Sequence, residues 1–213
     1  MIMEDSKYLE WLESASQEDK NLLERIYELE DHFSDMLFEE DSCVGELLKC
    51  QVKMDGSRWE DDRVMLPDEL KYFSLNYFKI KVDDLTGCGG YFDSKEQILC
   101  ISRENVENDN VILHEMIHLH EFVLNEQLLF YHDTLLWALY SDLRTKIENL
   151  DKLISSHAHI LGEQNIYHMG GLHDILFLLK SLELDIRMGY RLGTVFGYDM
   201  EGLAKDLRYD SKV

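Results

Sequence analysis

The sequence predicts an α+β fold, in which a small antiparallel sheet and the helix after it are flanked by mainly helical segments at both ends. Three observations lead there. Apolar residues recur at three- and four-residue spacing from Trp11 to Leu37, and a single proline, Pro67, interrupts the 213 residues. Two short stretches, 78–82 and 97–102, instead carry the alternation or the apolar run of a strand. From Asn108 the helical period returns and holds over much of the remaining chain.

Residues 1–66 form an acidic helical segment. Trp11, Leu12 and Ala15, then Leu22, Leu23, Ile26, Tyr27, Leu29, Phe33, Met36 and Leu37 supply its apolar stripe, and the Asp and Glu between them read as the solvated face. The pattern fades between about 50 and 72, through Met54-Asp55-Gly56-Ser57-Arg58 to Pro67-Asp68, which is the best place for a joint. A core unit spans 67–150. In it Phe78, Ile80 and Val82 alternate with Lys79, Lys81 and Asp83. Gly87, Gly89 and Gly90 mark a bulge or tight approach, Tyr91-Phe92 resumes the strand pattern, and the turn Asp93-Ser94-Lys95-Glu96 leads into Gln97-Ile98-Leu99-Cys100-Ile101-Ser102. Asn108 or Asp109 caps a helix that carries Ile112, Met116, Leu119 and Val123 on one face. More helix follows over about 133–155. The segment 151–213 is mainly helical, with a helix over about 172–188, and its Gly189, Gly193 and Gly197 read as loop or close helix contact.

Composition narrows the function. Twenty-one basic against 43 acidic side chains give a net charge of −22, with 7 against 21 over residues 1–70 and 14 against 22 over 71–213. Such a surface repels phosphate backbones and anionic membranes, so direct nucleic-acid binding is disfavoured and basic proteins or metal cations are the expected partners. Apolar runs such as Leu135 to Tyr140 and Ile175 to Leu179 are too short to span a bilayer, and Met1 to Ser6 is acidic where a signal peptide is basic. Four cysteines (Cys43, Cys50, Cys88, Cys100) form no CxxC pair and read as reduced thiols of a cytoplasmic protein.

One motif carries chemistry: His114-Glu115-Met116-Ile117-His118. On a helix, positions 114 and 118 lie one turn apart on the same face, so two neutral imidazoles reach one Zn²⁺ at about 2.0–2.1 Å. Glu115 stands at the edge of that site, where a carboxylate takes a proton from the activated water and passes it to a leaving amine. A catalytic site needs a third protein ligand. His132 is the first choice, since the chain between Leu119 and Tyr131 is long enough to finish one helix and return. Asp133 is placed to hold its tautomer or to cap the next helix. Glu126, Glu148 and Asp133 are rivals as ligand, followed by His157, His159, His168 and His173.

The stretch Leu113 to His118, with Phe122-Val123, Asn125 and then His132, resembles the SprT-like (Spartan) metalloproteases, in which HExxH and a variable spacer precede a third histidine. The strand pair from Gly87-Cys88-Gly89-Gly90-Tyr91-Phe92 to Ser102 is similar to the one before their active-site helix. The likeness covers roughly residues 70–145, about a third of the chain. It implies a minimal zincin-like core, an edge strand that pairs with substrate backbone, zinc on His114, His118 and His132, and general base and acid duty for Glu115. The family usually has His-Gly at the third ligand, whereas His132 precedes Asp133. A cysteine zinc ribbon or basic extension, common in the family, is missing here, so the likeness reaches the active site and not a nucleic-acid partner.

Weaker signals complete the reading. His120 lies about 240° round the helix from His114 and is expected to be exposed or packed. Glu121 returns to the ligand face, where it orients an imidazole or is solvated. His173-Asp174, after Gly170-Gly171, echoes His132-Asp133 and reads first as a turn and helix start. In a functional role His173, or Tyr167 nearby, stabilises an oxyanion over the zinc. The sequence thus leads to a zinc endopeptidase acting on basic or DNA-associated proteins. The alternative is a non-catalytic acidic interaction protein, a charge or DNA mimic, with a structural or vestigial zinc site.

Overall fold

A computed structural model describes residues 5–37, 78–125, 129–161, 173–197, 204, 205 and 207–209. The N-terminal segment is two helices, α1 (Asp5–Ser14) and α2 (Gln17–Leu37). Ser16 and Asp19 start α2 with a reciprocal cap: the Asp19 amide donates to Ser16 Oγ at 3.1 Å, and the Ser16 amide donates to Asp19 Oδ2 at 3.1 Å. Leu22, Leu23, Ile26 and Leu29 bury the predicted stripe. The joint placed near residue 67 lies outside the described residues.

Three strands follow: β1 (Lys79–Asp83), β2 (Gly90–Asp93) and β3 (Ile98–Ser102), in the order β1-β3-β2. The sheet is mixed, where an antiparallel one was expected. β2 and β3 form the hairpin that Asp93 to Glu96 predicts, but β1 runs parallel to β3, with Ile80 beside Leu99 and Val82 beside Ile101. The reason is legible in burial. Leu99 to Ser102 are buried at every position, as in a centre strand with neighbours on both sides, so β1 is left to take the far edge. The connection 84–89 then crosses the end of β3, and Gly87, at φ 87°, makes that crossing.

Helix α3 (Asp109–Asn125) packs on the sheet against β2 and β3. Asn108 is the cap, its Oδ1 accepting from the Asn110 amide at 3.2 Å. Asp109 instead receives Arg25 of α2 in a two-pronged pair at 2.9 and 2.5 Å, which ties the N-terminal helices to the start of α3. Phe78, Phe92 and Phe122 meet edge to face or tilted, with centroids 5.4–6.2 Å apart, and close the sheet–helix seam.

The helix expected over about 133–155 takes the form of two helices, α4 (Leu129–Lys146) and α5 (Leu150–Leu161). They are separated at Asn149, whose φ of 63° no helix accommodates. A two-residue strand β4 (Ile147–Glu148) sits at that break and pairs with β5 (Arg208–Tyr209). Helix α6 (Ile175–Met188) runs through the interior and is buried from Ile175 to Asp185 on every side. It therefore buries three charged side chains, each of which needs a partner. Lys180 Nζ lies 3.9 Å from Glu121 Oε1, Glu183 accepts from Arg187 at 3.0 Å, and Asp185 takes backbone amides described below. Gly189, at φ 69°, ends α6 in the left-handed conformation, with the Tyr190 amide donating to Asp185 O at 2.7 Å. Gly193 and Gly197 also have positive φ, so the glycine series is loop, as its composition suggests. No helix among the described residues is long and apolar enough to cross a membrane.

Candidate metal centre

Helix α3 presents His114 and His118 one turn apart, with ring centroids 5.2 Å from each other. The third imidazole of the group comes from His173, immediately before the N-terminus of α6. Its ring lies 4.9 Å from that of His114 and 5.0 Å from that of His118. The three rings share one floor, the fully buried Phe177 one turn into α6, at centroid distances of 4.6–4.8 Å. Asp174 makes this possible. It caps α6 by accepting from the Phe177 amide at 2.9 Å, and so fixes the turn on which His173 adopts φ 62°.

The ring nitrogens are arranged as ligands. One nitrogen from each imidazole lies within 4.8 Å of the other two. His114 Nε2 and His173 Nε2 are only 3.0 Å apart. A tetrahedral ion with Zn–N bonds of about 2.0–2.1 Å holds its nitrogens about 3.3 Å apart, a spacing that the His114–His173 pair approaches. His114 Nδ1 lies 3.0 Å from the Val195 carbonyl, to which it donates, and this leaves the Nε2 lone pair directed at the cluster. His157 Nε2 donates to the His173 carbonyl at 2.8 Å and braces the second element of the site. Burial is the main cause that lowers the pKa of all three rings, joined at His118 and His173 by their neighbours' charge: His118 falls to about 3 and His173 to about 4. Neutral imidazole is the ligating form, so the cluster is in the required state well into the acid range.

Glu115 lies beside this group and is 6% exposed. Burial raises its carboxyl pKa to about 8. Its side chain runs beneath β2 where only glycine fits: a Cβ on Gly90 would stand 2.8 Å from Glu115 Cγ and 2.9 Å from the Cys100 carbonyl oxygen. A cleft of about 280 Å³ opens here between Gly87–Gly90 on one wall and Thr194–Gly197 on the other, with His114 and Glu115 on its floor. The β2 edge borders it. The Ser102 amide donates to Gly89 O at 2.8 Å, so antiparallel alternation turns the amide and carbonyl groups of Gly90 and Phe92 outward from β3. The opposite edge is closed, since the Val82 amide of β1 donates to Asp19 Oδ1 at 2.7 Å.

The sequence-derived candidates distribute as follows. His114, Glu115 and His118 come together as expected. His132 and Asp133 lie on α4, but their side chains, and all of Tyr167 and His168, are outside the described residues. His173, expected as a distant rival for the third ligand or as an oxyanion stabiliser over the metal, stands in the ring of imidazoles itself. Glu121 faces Lys180 of α6, His120 is packed at 1% exposure, and His157 holds backbone. The helix start expected at His173-Asp174 is present with Asp174 as its cap, but Val195 and Phe177 were not anticipated. The only trace of them in the sequence is the His-Asp dipeptide that opens an unusually apolar helix. Comparison of the chain with protein-family models, with curated proteins and with solved structures finds no match in any of the three.

Proposed function

We propose that this protein is a zinc-dependent endopeptidase with His114, His118 and His173 as metal ligands and Glu115 as general base. The observation that carries the reading is the convergence of three neutral imidazoles, one oriented through its far nitrogen by a backbone carbonyl, beside a buried carboxyl that opens on a cleft. Zinc, when bound, supplies a Lewis acid for the scissile carbonyl and acidifies a water. Glu115 would accept a proton from the attacking water and pass it to the departing amine. Its buried position suits both halves of the task. Low polarity favours the protonated form, and a nearby dication favours the ionised one, so its pKa is drawn towards neutrality. The outward groups of Gly90 and Phe92 offer an extended peptide a strand to pair with at the rim of the cleft. The resemblance of residues 70–145 to SprT-like proteases supports these roles for His114, His118 and Glu115, although it points to His132 rather than His173 as the third ligand. The charge of −22 favours basic substrates, and added salt should then weaken cleavage sharply.

The test is cleavage of a denatured protein mixture by the zinc-loaded chain, read by mass spectrometry, beside Glu115→Gln. New peptide ends from the wild type, lost in the variant while zinc is retained, support the proposal. A second reading, an acidic interaction protein with a structural zinc, rests on the same net charge, and it predicts that Glu115→Gln changes no function.

A further inference from the structure

Asp185 is the least expected group near the site. It lies on α6, fully buried, and in sequence it looks like one more acid among 43. Its two carboxylate oxygens are spent on the loop that lines the cleft: Oδ2 accepts from the Gly193 amide at 2.6 Å and Oδ1 from the Val195 amide at 2.9 Å. A third bond, from the Tyr190 amide to the Asp185 carbonyl oxygen, ties the helix end to the start of the same loop. Val195, whose amide Asp185 holds, is also the residue whose carbonyl takes the proton of His114 Nδ1. Buried charged acceptors fix amides more firmly than neutral ones, and an isolated buried carboxylate is costly, so this geometry is strongly determined.

We propose that Asp185 is a positioning residue for the metal centre: by anchoring the Gly193 and Val195 amides it aims the Val195 carbonyl at His114 Nδ1, and so selects Nε2 as the nitrogen offered to the metal. The inference rests on the metal-centre reading for its consequence but not for its first test. The relay passes from a carboxylate through one residue, from the Val195 amide to the Val195 carbonyl, to a ligand imidazole, so the acid acts without touching either the ligand or the substrate. In a loop without this anchor the carbonyl swings away, the His114 tautomers mix, and part of the population presents N–H to the ion.

Two readouts separate this role from a merely structural one. In metal-free protein, ¹⁵N NMR of the histidine rings should show His114 as a single Nδ1–H tautomer in the wild type and as a mixture in Asp185→Asn, with His120 unchanged. An unaltered His114 pattern overturns the proposal whether or not the protein ever binds metal. In zinc competition with a chelator, Asp185→Asn should weaken binding about 10- to 100-fold, the range found when a ligand's orienting partner is removed. The same substitution in a His114→Ala background should have no further effect. Equal losses in both backgrounds mean that Asp185 acts on the fold and not through His114. Absence of zinc binding by the wild type overturns the proposed function and leaves the tautomer result standing. Should Asp185→Asn not fold, hydrogen exchange on the wild type decides: zinc should slow the Gly193 and Val195 amides by about ten-fold or more, by reciprocity of the coupling, and unchanged rates overturn the relay.

Discussion

Replacing Glu115 by Gln should stabilise the metal-free chain, and by an amount that depends on pH. The carboxyl titrates near 4.5 when exposed and at about 8 in the folded protein, because burial penalises its charged form. A folded pKa above the unfolded one means that the fold binds the proton more tightly. Its contribution is complete below pH 4.5 and is lost as pH rises through about 8. At about 1.4 kcal/mol per pH unit of separation, the wild type should lose about 3 kcal/mol between pH 4 and pH 7 through this one group. Glutamine has nearly the same shape and cannot ionise. The variant should therefore match the wild type at pH 4 and exceed it by about 3 kcal/mol at pH 7, or roughly 6–12 °C in melting temperature for a chain of this size. Urea unfolding of both proteins in chelator, at unit pH steps from 4 to 8, measures the difference directly, since all other titrating groups are shared. Parallel stability profiles, or a variant less stable at pH 7, would refute the argument that burial without a partner holds this carboxyl neutral. Zinc should shrink the gap, because a dication beside the carboxylate stabilises its ionised form.

Further expectations follow from the same geometry. His173→Ala should abolish tight zinc retention as completely as His118→Ala, whereas His132→Ala should retain it; metal analysis after dialysis distinguishes the two. Gly90→Ala places a methyl 2.8 Å from Glu115 Cγ, so it should cost about 1–3 kcal/mol in urea unfolding and lower turnover while zinc stays bound. Phe177→Ala removes the floor beneath three imidazoles and should cost about 3–5 kcal/mol, with weakened zinc binding by calorimetry.

Much of this was legible from the chain alone because local periodicity governs it. The helix carrying His114 and His118 follows from Asn108 and the apolar spacing after it, and the β2–β3 hairpin follows from Asp93 to Glu96. Two features were not legible. The parallel placement of β1 depends on which strand is central, a matter of long-range pairing that a strand's own alternation does not encode. The inclusion of His173 depends on α6 threading the interior against α3, and in sequence its five-residue apolar run reads only as core. The Asp185 relay is further from view, because its acceptor is a backbone carbonyl, and a carbonyl leaves no residue-type signature.

X-ray absorption at the zinc edge, on wild-type chain reconstituted with one equivalent of zinc, addresses the central claim most directly. The account predicts one tightly held ion with three imidazole nitrogens and one exchangeable oxygen at about 2.0 Å. An ion that washes out under gentle dialysis, or a shell closed by four protein side chains, would contradict it.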